Sequence, residues 1–220
     1  MRTNIYIDGI NLYYLALKGH GKGFKWLNPD LLCRSILPQE HYNIVSINYY
    51  TARVSPKASP TAPRDQQVYI NALESLPNLK IHYGRFTIHP TKMFMVQPAQ
   101  FEPPCTTPPT PNPKFVYVQK TEEKGSDVNI AAHLVRDACL GAFDNAVVIT
   151  NDTDLVEPIR IVTQELKRNV VTLNPSTRPA QLLLNVSTYS RRIHTSHIKQ
   201  CQFPDSFTHN GKLIEKPKDW

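Results

Sequence analysis

The chain has 220 residues, 40% of them hydrophobic, and carries a formal charge of +7 with a pI near 9.2. That length suits one large domain, or one domain with an appendage, and the apolar content suffices for a real core. No apolar run approaches the ~20 residues a membrane helix needs, the start lacks a signal-peptide pattern, and Cys33, Cys105, Cys139 and Cys201 form no CxxC pair, which argues against a membrane protein, a secreted disulfide scaffold and a zinc ribbon.

Residues 4–7 are expected to form a first strand that ends at Asp8, with a helical stretch from Leu12 to Leu17 broken by Gly19, Gly21 and Gly23. Asn28 suits a helix cap and Pro29 the first helical position, and Leu31, Leu32, Ile36 and Leu37 give that helix an apolar face. Residues 44–54 read as a second strand, residues 64–75 as a helix and residues 79–86 as a third strand. From 87 to 120 the alternation stops. Residues 93–96 and 115–118 can pair as a hairpin around a segment dense in proline (Pro98, Pro103, Pro104, Pro108, Pro109, Pro111, Pro113), which supports neither helix nor central strand. Its bland reading is a tolerated surface insertion, and its functional reading is a flap that grips substrate.

Residues 126–140 carry one apolar stripe and read as a helix, with Ser126 as its cap, Gly141 as its stop and Cys139 in the core. A strand at 146–150 then runs into Asp152 and Asp154, followed by a helix over about 155–166 with Pro158 in its first turn. A fifth strand covers 169–173, a last helix 179–186, and Arg192-Ile193 starts a short strand; residues 202–220 show little periodicity. Strands alternating with helices predict a parallel α/β sheet with helices on both faces.

Three segments bring acids to strand ends or helix starts: Asp8 after Ile5-Tyr6-Ile7, Asp127 after Lys124-Gly125-Ser126, and Asp152 with Asp154. The C-terminal edge of such a sheet is where ligands bind. An all-oxygen donor set favours a hard cation, Mg²⁺ or Mn²⁺, over zinc. Against this, Asp127 and Asp154 also suit helix N-termini through capping and the dipole. His133 is expected to face solvent or a neighbouring helix, and His194, His197 and Cys201 lack a fourth zinc ligand. A basic chain with acids gathered at its motifs suits a metal site that handles a phosphate backbone. Arg53, Lys57, Arg64, Arg85, Lys114, Lys120 and Lys124 are the candidate backbone contacts, and Tyr13, Tyr49 and Tyr50 are candidate base-stacking rings.

Asp8 with Asn11, Lys124-Gly125-Ser126-Asp127 and Asn151-Asp152-Thr153-Asp154-Leu155 together resemble the NYN domain, a branch of the PIN-like metal-dependent nucleases. The resemblance spans about residues 3–195, and Gln202-Phe203-Pro204-Asp205, Lys216-Pro217 and Trp220 are similar to the ending of bacterial full-length NYN proteins. It implies a three-layer α/β/α PIN-like fold with a mainly parallel sheet of about five strands: a nuclease domain over 1–195, a proline-rich hairpin-like insertion at about 87–120, and a tail over 196–220. It implies that Asp8, Asp127, Asp152 and Asp154 coordinate Mg²⁺ or Mn²⁺, and that Asn11 and the Thr150 hydroxyl support the site. The implied reaction is RNA phosphodiester hydrolysis, expected here as endonucleolytic cutting of single-stranded or structured RNA in a reducing cytoplasm. DNA stays open as a substrate because nothing in the motifs reads a 2′-hydroxyl, and a homodimer is compatible. Two departures stand out: Asn151 replaces a common glycine, and His133 stands where many members carry another acid.

Other classes remain. A non-catalytic RNA-binding or adaptor module would keep the fold without the chemistry. A haloacid-dehalogenase-like phosphatase wants a second acid two residues after Asp8, where Ile10 stands, and a sugar-nucleotide transferase finds no support beyond Asp152-Thr153-Asp154.

Overall fold

The computed structural model describes the chain apart from residues 22, 57–59, 98–99, 105–106 and 108–109, so Lys57, Cys105 and the prolines at 98, 108 and 109 lie outside the described residues. The strands are β1 (Arg2–Asp8), β2 (Asn43–Ala52), β3 (Leu79–Phe94), β4 (Phe115–Lys124), β5 (Asn145–Ile149), β6 (Asn169–Asn174) and β7 (Tyr189–Arg192). They form one sheet in the order β4-β3-β2-β1-β5-β6-β7, in which only the β3–β4 pair is antiparallel. The helices are α1 (Gly9–Leu12), α2 (Pro29–Ile36), α3 (Ala62–Glu74), α4 (Ser126–Cys139), α5 (Val156–Arg160), α6 (Gln181–Val186) and α7 (Thr195–Gln200).

Strands β1 and β5 are buried on both faces, as parallel strands under helices must be. Alternate side chains therefore feed two cores. Ile5, Ile7, Ile47, Tyr49, Val147, Ile149, Val171 and Leu173 meet residues of α1, α2 and α3 on one face. Tyr6, Tyr50, Val148 and Val170 meet α4 and α5 on the other. This is the expected mixed α/β architecture. Among the described residues no helix is long and apolar enough to cross a membrane.

Several local expectations hold in detail. Asn28 Oδ1 accepts the N–H groups of Asp30 and Leu31, with Pro29 at the start of α2. Others need correction. The sheet has seven strands, not five: β3 does not stop at Phe86 but runs on to Phe94, where β4 pairs with it, and β7 adds a parallel strand beside β6. Beyond Gly84 the strand has a neighbour on one side only, so Pro90 costs no ladder bond on its open side. The expected helix over 155–166 is a 3₁₀ turn (Thr153–Leu155), then α5, then a π-helical stretch (Ile161–Glu165). Cys139 is exposed, not core: the buried stripe of α4 runs through Ile130, Leu134, Asp137 and Ala138, and Cys139 falls past its edge. Ser126 is not the cap of α4; Gly125, at φ +102°, takes that position in a conformation that favours glycine.

The C-terminal stretch holds α7 and a hairpin of β8 (Ser206–His209) and β9 (Lys212–Glu215). Phe203 and Ile214 are buried in the α1–α3 core, and the Trp26 indole donates to the Pro204 carbonyl at 2.8 Å.

Candidate active site

Because β1 and β5 are parallel neighbours, their C-terminal ends lie at one edge, and the chain carries Asp8 and the Thr150–Asp154 loop there. A run of hydrogen bonds links them. Asp8 is 2% exposed; its Oδ1 accepts the Asn11 N–H at 2.9 Å and its Oδ2 the Thr150 hydroxyl at 3.2 Å. Thr150 Oγ1 accepts the Asp152 N–H at 3.0 Å, and Asp152 Oδ1 accepts the Asp154 N–H at 3.0 Å.

Asparagine side chains brace this run from behind. Asn11 Oδ1 accepts the Asn151 N–H at 2.8 Å. Asn151 Oδ1 accepts Asn174 Nδ2 at 2.6 Å and the Ala180 N–H at 2.8 Å, tying the loop after β5 to the end of β6. A glycine at 151 would forgo that tie, which gives this departure from the family pattern a structural role.

Asp127 sits in the first turn of α4. The preceding loop folds tightly: the Ser126 hydroxyl and N–H both donate to Glu123 Oε1, at 2.8 and 3.2 Å. Gly84 on β3 makes the approach feasible, since a Cβ there would strike the Glu123 carboxylate, the Lys124 carbonyl oxygen at 2.8 Å and Ser126 Oγ at 2.9 Å. Glu123 is thus a further acid at the site that the sequence motifs do not reveal. Its only signal is an acidic pair just before Lys124-Gly125-Ser126-Asp127.

The acids feel one another. Burial pushes the Asp8 carboxyl up to about 7, with Asp127 and Asp152 adding to the rise and the Asn11 and Thr150 bonds opposing it. Burial, then Asp152, Glu123 and Asp154, push Asp127 up to about 6. Mutual repulsion of this kind is what a bound cation relieves. Even so, among the described residues no group of three or more His, Cys, Asp and Glu side chains is arranged to hold a metal ion. Both oxygens of Asp8 and Oδ1 of Asp152 accept internal hydrogen bonds instead. Mg²⁺ takes one or two carboxylates and keeps its waters, so the donor set fits a hard cation held by few protein ligands and not a closed protein cage.

The candidate phosphate contacts are dispersed. Arg53 bonds the Gln67 side chain and lies 4.7 Å from the Tyr83 ring centre. Arg64 is exposed beside Asp65. Arg85 faces Lys124 across β3 and β4, and Lys120 and Lys124 both pair with Glu122, which they hold down to about 2. Lys114 directly precedes β4. Tyr49 and Tyr50 are buried and unavailable for stacking, while Tyr13 packs half-buried against the core. His133, half-buried, packs against the sheet: its Nδ1 lies 2.9 Å from the Tyr50 hydroxyl and its ring 4.7 Å from that of His82. Burial lowers the pKa of both histidines. A separate cavity of about 250 Å³ is lined by Ser35, Ile36, Arg191, Arg192, His194 and His197.

Residues 2–191 match the NYN domain family. The chain is 29% identical over 245 aligned positions to 6-hydroxy-3-succinoylpyridine 3-monooxygenase of Pseudomonas putida (strain DSM 28022 / S16), an alignment covering 100% of this chain and 75% of that protein. In fold it is similar to a solved protein of unknown function from Vibrio parahaemolyticus RIMD 2210633, with a TM-score of 0.53 and 15% identity over 88% of this chain and 93% of that one.

Proposed function

We propose that this chain, which belongs to the NYN domain family, is a metal-dependent ribonuclease that hydrolyses RNA phosphodiester bonds at the edge carrying Asp8, Asp127, Asp152 and Asp154. The family is nuclease-like in general, and PIN-like nucleases usually use divalent metals. The observation that carries the reading is the gathering of acids at the C-terminal sheet edge, where Asp127 and Asp152 add to the rise that burial gives Asp8, and Asp152, Glu123 and Asp154 to the rise that burial gives Asp127.

Asp8, Asp127 and Asp152, with Asp154, would hold Mg²⁺ or Mn²⁺. Such an ion, when bound, offsets phosphate charge and lowers the pKa of a coordinated water. The chain's own part is to hold the acids in place. Thr150 and the Asn11 backbone fix the Asp8 carboxylate, and the Asn11–Asn151–Asn174 amides hold the loop that presents Asp152. An edge open to solvent admits the middle of a strand, so endonucleolytic cutting is the expected mode. The free Cys33, Cys139 and Cys201 suit a reducing cytoplasm.

The test is cleavage of end-labelled single-stranded RNA with Mn²⁺, with Mg²⁺ and with EDTA, comparing wild type with Asp152→Asn. Metal-dependent cutting that the variant loses supports the reading. No cutting by the wild type, with salt-sensitive RNA binding intact, sinks it in favour of an adaptor module.

A second reading draws on the Pseudomonas relative, aligned over the whole of this chain. It is oxygen-dependent hydroxylation of a pyridine bearing a carboxylate, and the cavity lined by Arg191, Arg192, His194 and His197 suits such a group. Oxygen consumption with 6-hydroxy-3-succinoylpyridine and a reductant, absent from an Arg192→Ala variant, would favour it over the nuclease.

A further inference from the structure

β3 pairs with β2 only as far as Gly84, opposite Ala52, and then continues with β4 through ten cross-strand pairs from Arg85↔Lys124 to Phe94↔Phe115. At about 3.3 Å per residue this ribbon reaches roughly 30 Å past the sheet. β3 runs parallel to β1, and His82 lies level with Tyr50 and Asp8. The ribbon therefore leaves the sheet from the edge where the acids stand.

Cross-strand partners share a face, as do residues two apart on one strand. Lys92 opposite Tyr117 and Phe94 opposite Phe115 consequently make one surface. The same face, followed back down β3, is the one on which Gly84 meets Ser126 and His82 meets His133, both on α4. Phe94 is 66% exposed and Tyr117 75%. The Phe94 and Phe115 rings stand edge to face at 5.2 Å, and Lys92 Nζ lies 4.6 Å from the centre of the Phe115 ring. Lys114 adds a second cation at the tip, and neither strand carries a carboxylate between its tip and Glu122.

Large aromatic rings left in water have few stabilising reasons to be there. Interleaved with lysines and free of acids, they match a partner that brings flat apolar faces and negative charge together. We propose that this face of the ribbon is a stacking platform for single-stranded nucleic acid, with unpaired bases on Phe94, Phe115 and Tyr117 and backbone phosphates against Lys92 and Lys114. Every base offers a ring face, so such a platform is tolerant of sequence. A duplex hides those faces inside its stack. A second copy of this chain would bring the same lysines and the same +7 charge against it. The platform deepens the ribonuclease reading by giving the strand a second hold, roughly 30 Å along the ribbon from the edge where the acids stand, but its binding needs no metal and no cutting.

The test is fluorescence anisotropy of a labelled 12-nucleotide RNA against the full chain in EDTA, with a duplex of equal length alongside and sedimentation of each protein. Tyr117→Ala and Phe94→Ala are expected to weaken single-strand binding about five-fold or more each, while Tyr117→Phe stays within about two-fold and duplex binding does not respond to Tyr117→Ala. Unchanged binding by the Phe94→Ala/Tyr117→Ala double variant overturns the proposal, as does a wild type that does not bind the single strand. A wild-type dimer that the double variant splits, with RNA binding unchanged, overturns it in favour of a face between copies. Cleavage is scored separately with Mn²⁺. Binding lost in the variants when no protein cuts leaves the platform standing and removes the nuclease; cutting with indifferent variants does the reverse.

Discussion

β1 and β5 bury every side chain from Thr3 to Asp8 and from Asn145 to Ile149, whereas no residue of β3 or β4 is fully buried. The two regions share a backbone geometry and a common sheet, yet different forces hold them. The central strands are fixed by packing on both faces, and they carry Asp8 into a nearly waterless position as a consequence. The ribbon is fixed by its ladder to one neighbour, leaving its side chains to the solvent. Chemistry that needs a perturbed carboxylate belongs to the first region, and reach belongs to the second.

Removing the charge at the buried end should give the largest effect. Asp8→Asn is expected to lower metal-dependent RNA cleavage by about 10²-fold or more, measured as single-turnover cutting with Mn²⁺. Cleavage within a few-fold of wild type would dissociate the buried acid from the chemistry.

The same substitution should stabilise the fold, with a defined pH dependence. In the folded chain Asp8 titrates at about 7, against an ordinary value of 3.8. Below about pH 3 the carboxyl is neutral in both states, and its burial costs nothing extra. Between about 4 and 7 the unfolded chain gives up the proton while the folded chain keeps it, so stability drains away as pH rises and levels off above 7. An amide has no such loss. Asp8→Asn should therefore match wild type near pH 3 and exceed it by a few kcal/mol at pH 8, since each tenfold difference in proton affinity between the two states is worth about 1.4 kcal/mol. Urea unfolding at the two pH values reads this directly. Mn²⁺ should narrow the gap at pH 8 if the ion binds the ionised group. A gap that does not change with pH would remove the buried charge as its cause.

The junction between the two regions comes next. Gly84 is the last β3 residue paired with β2, and the Lys124 carbonyl and Ser126 hydroxyl leave no room for a Cβ. Gly84→Ala should cost about 1–3 kcal/mol, as overpacking does, and should disturb the turn that presents Asp127. A denaturation midpoint equal to wild type would mean that the ribbon and α4 separate without penalty.

The contrast also explains what could be read in the sequence. Apolar runs such as Ile5-Tyr6-Ile7 and Val147-Val148-Ile149 announce buried parallel strands, and an acid after each run marks the ligand edge. The strands β1, β2, β5 and β6 and the start of β3 were legible for that reason, and Asn28-Pro29 marked the start of α2. The outer end of the ribbon was legible as a hairpin of 93–96 with 115–118, but its continuity with β3 was not, because a ribbon in solvent needs no apolar alternation and even admits Pro90. The tail was hidden likewise: Phe203 and Trp220 pack against Trp26 and Tyr69, and Ile214 is buried in the same core, with no period to reveal them. At the site, Asp8, Asp127, Asp152 and Asp154 were legible as types at strand and helix ends. Glu123 was not, because its place depends on how Gly84 lets two loops meet, and the roles of Asn151 and Asn174 depend on bonds between strands far apart in sequence.

The smallest effects are expected from the ribbon's lysines, and they separate charges already matched from charges that are not. Lys120 shares Glu122 with Lys124, whereas Lys114 stands at the end of the ribbon away from any acid on its strand. Exposed pairs contribute little to folding, so Lys120→Gln and Lys114→Gln should each stay within about 0.5 kcal/mol of wild type in urea. RNA binding should tell them apart. If Lys114 meets a phosphate, its loss lowers the slope of log affinity against log salt by about one. Losing Lys120 leaves Glu122 with Lys124 alone, so the slope should change by less. Equal slope changes for the two variants would mean that the strand reaches the base of the ribbon and breaks the Glu122 pairs, making the whole ribbon, and not its tip alone, the binding surface.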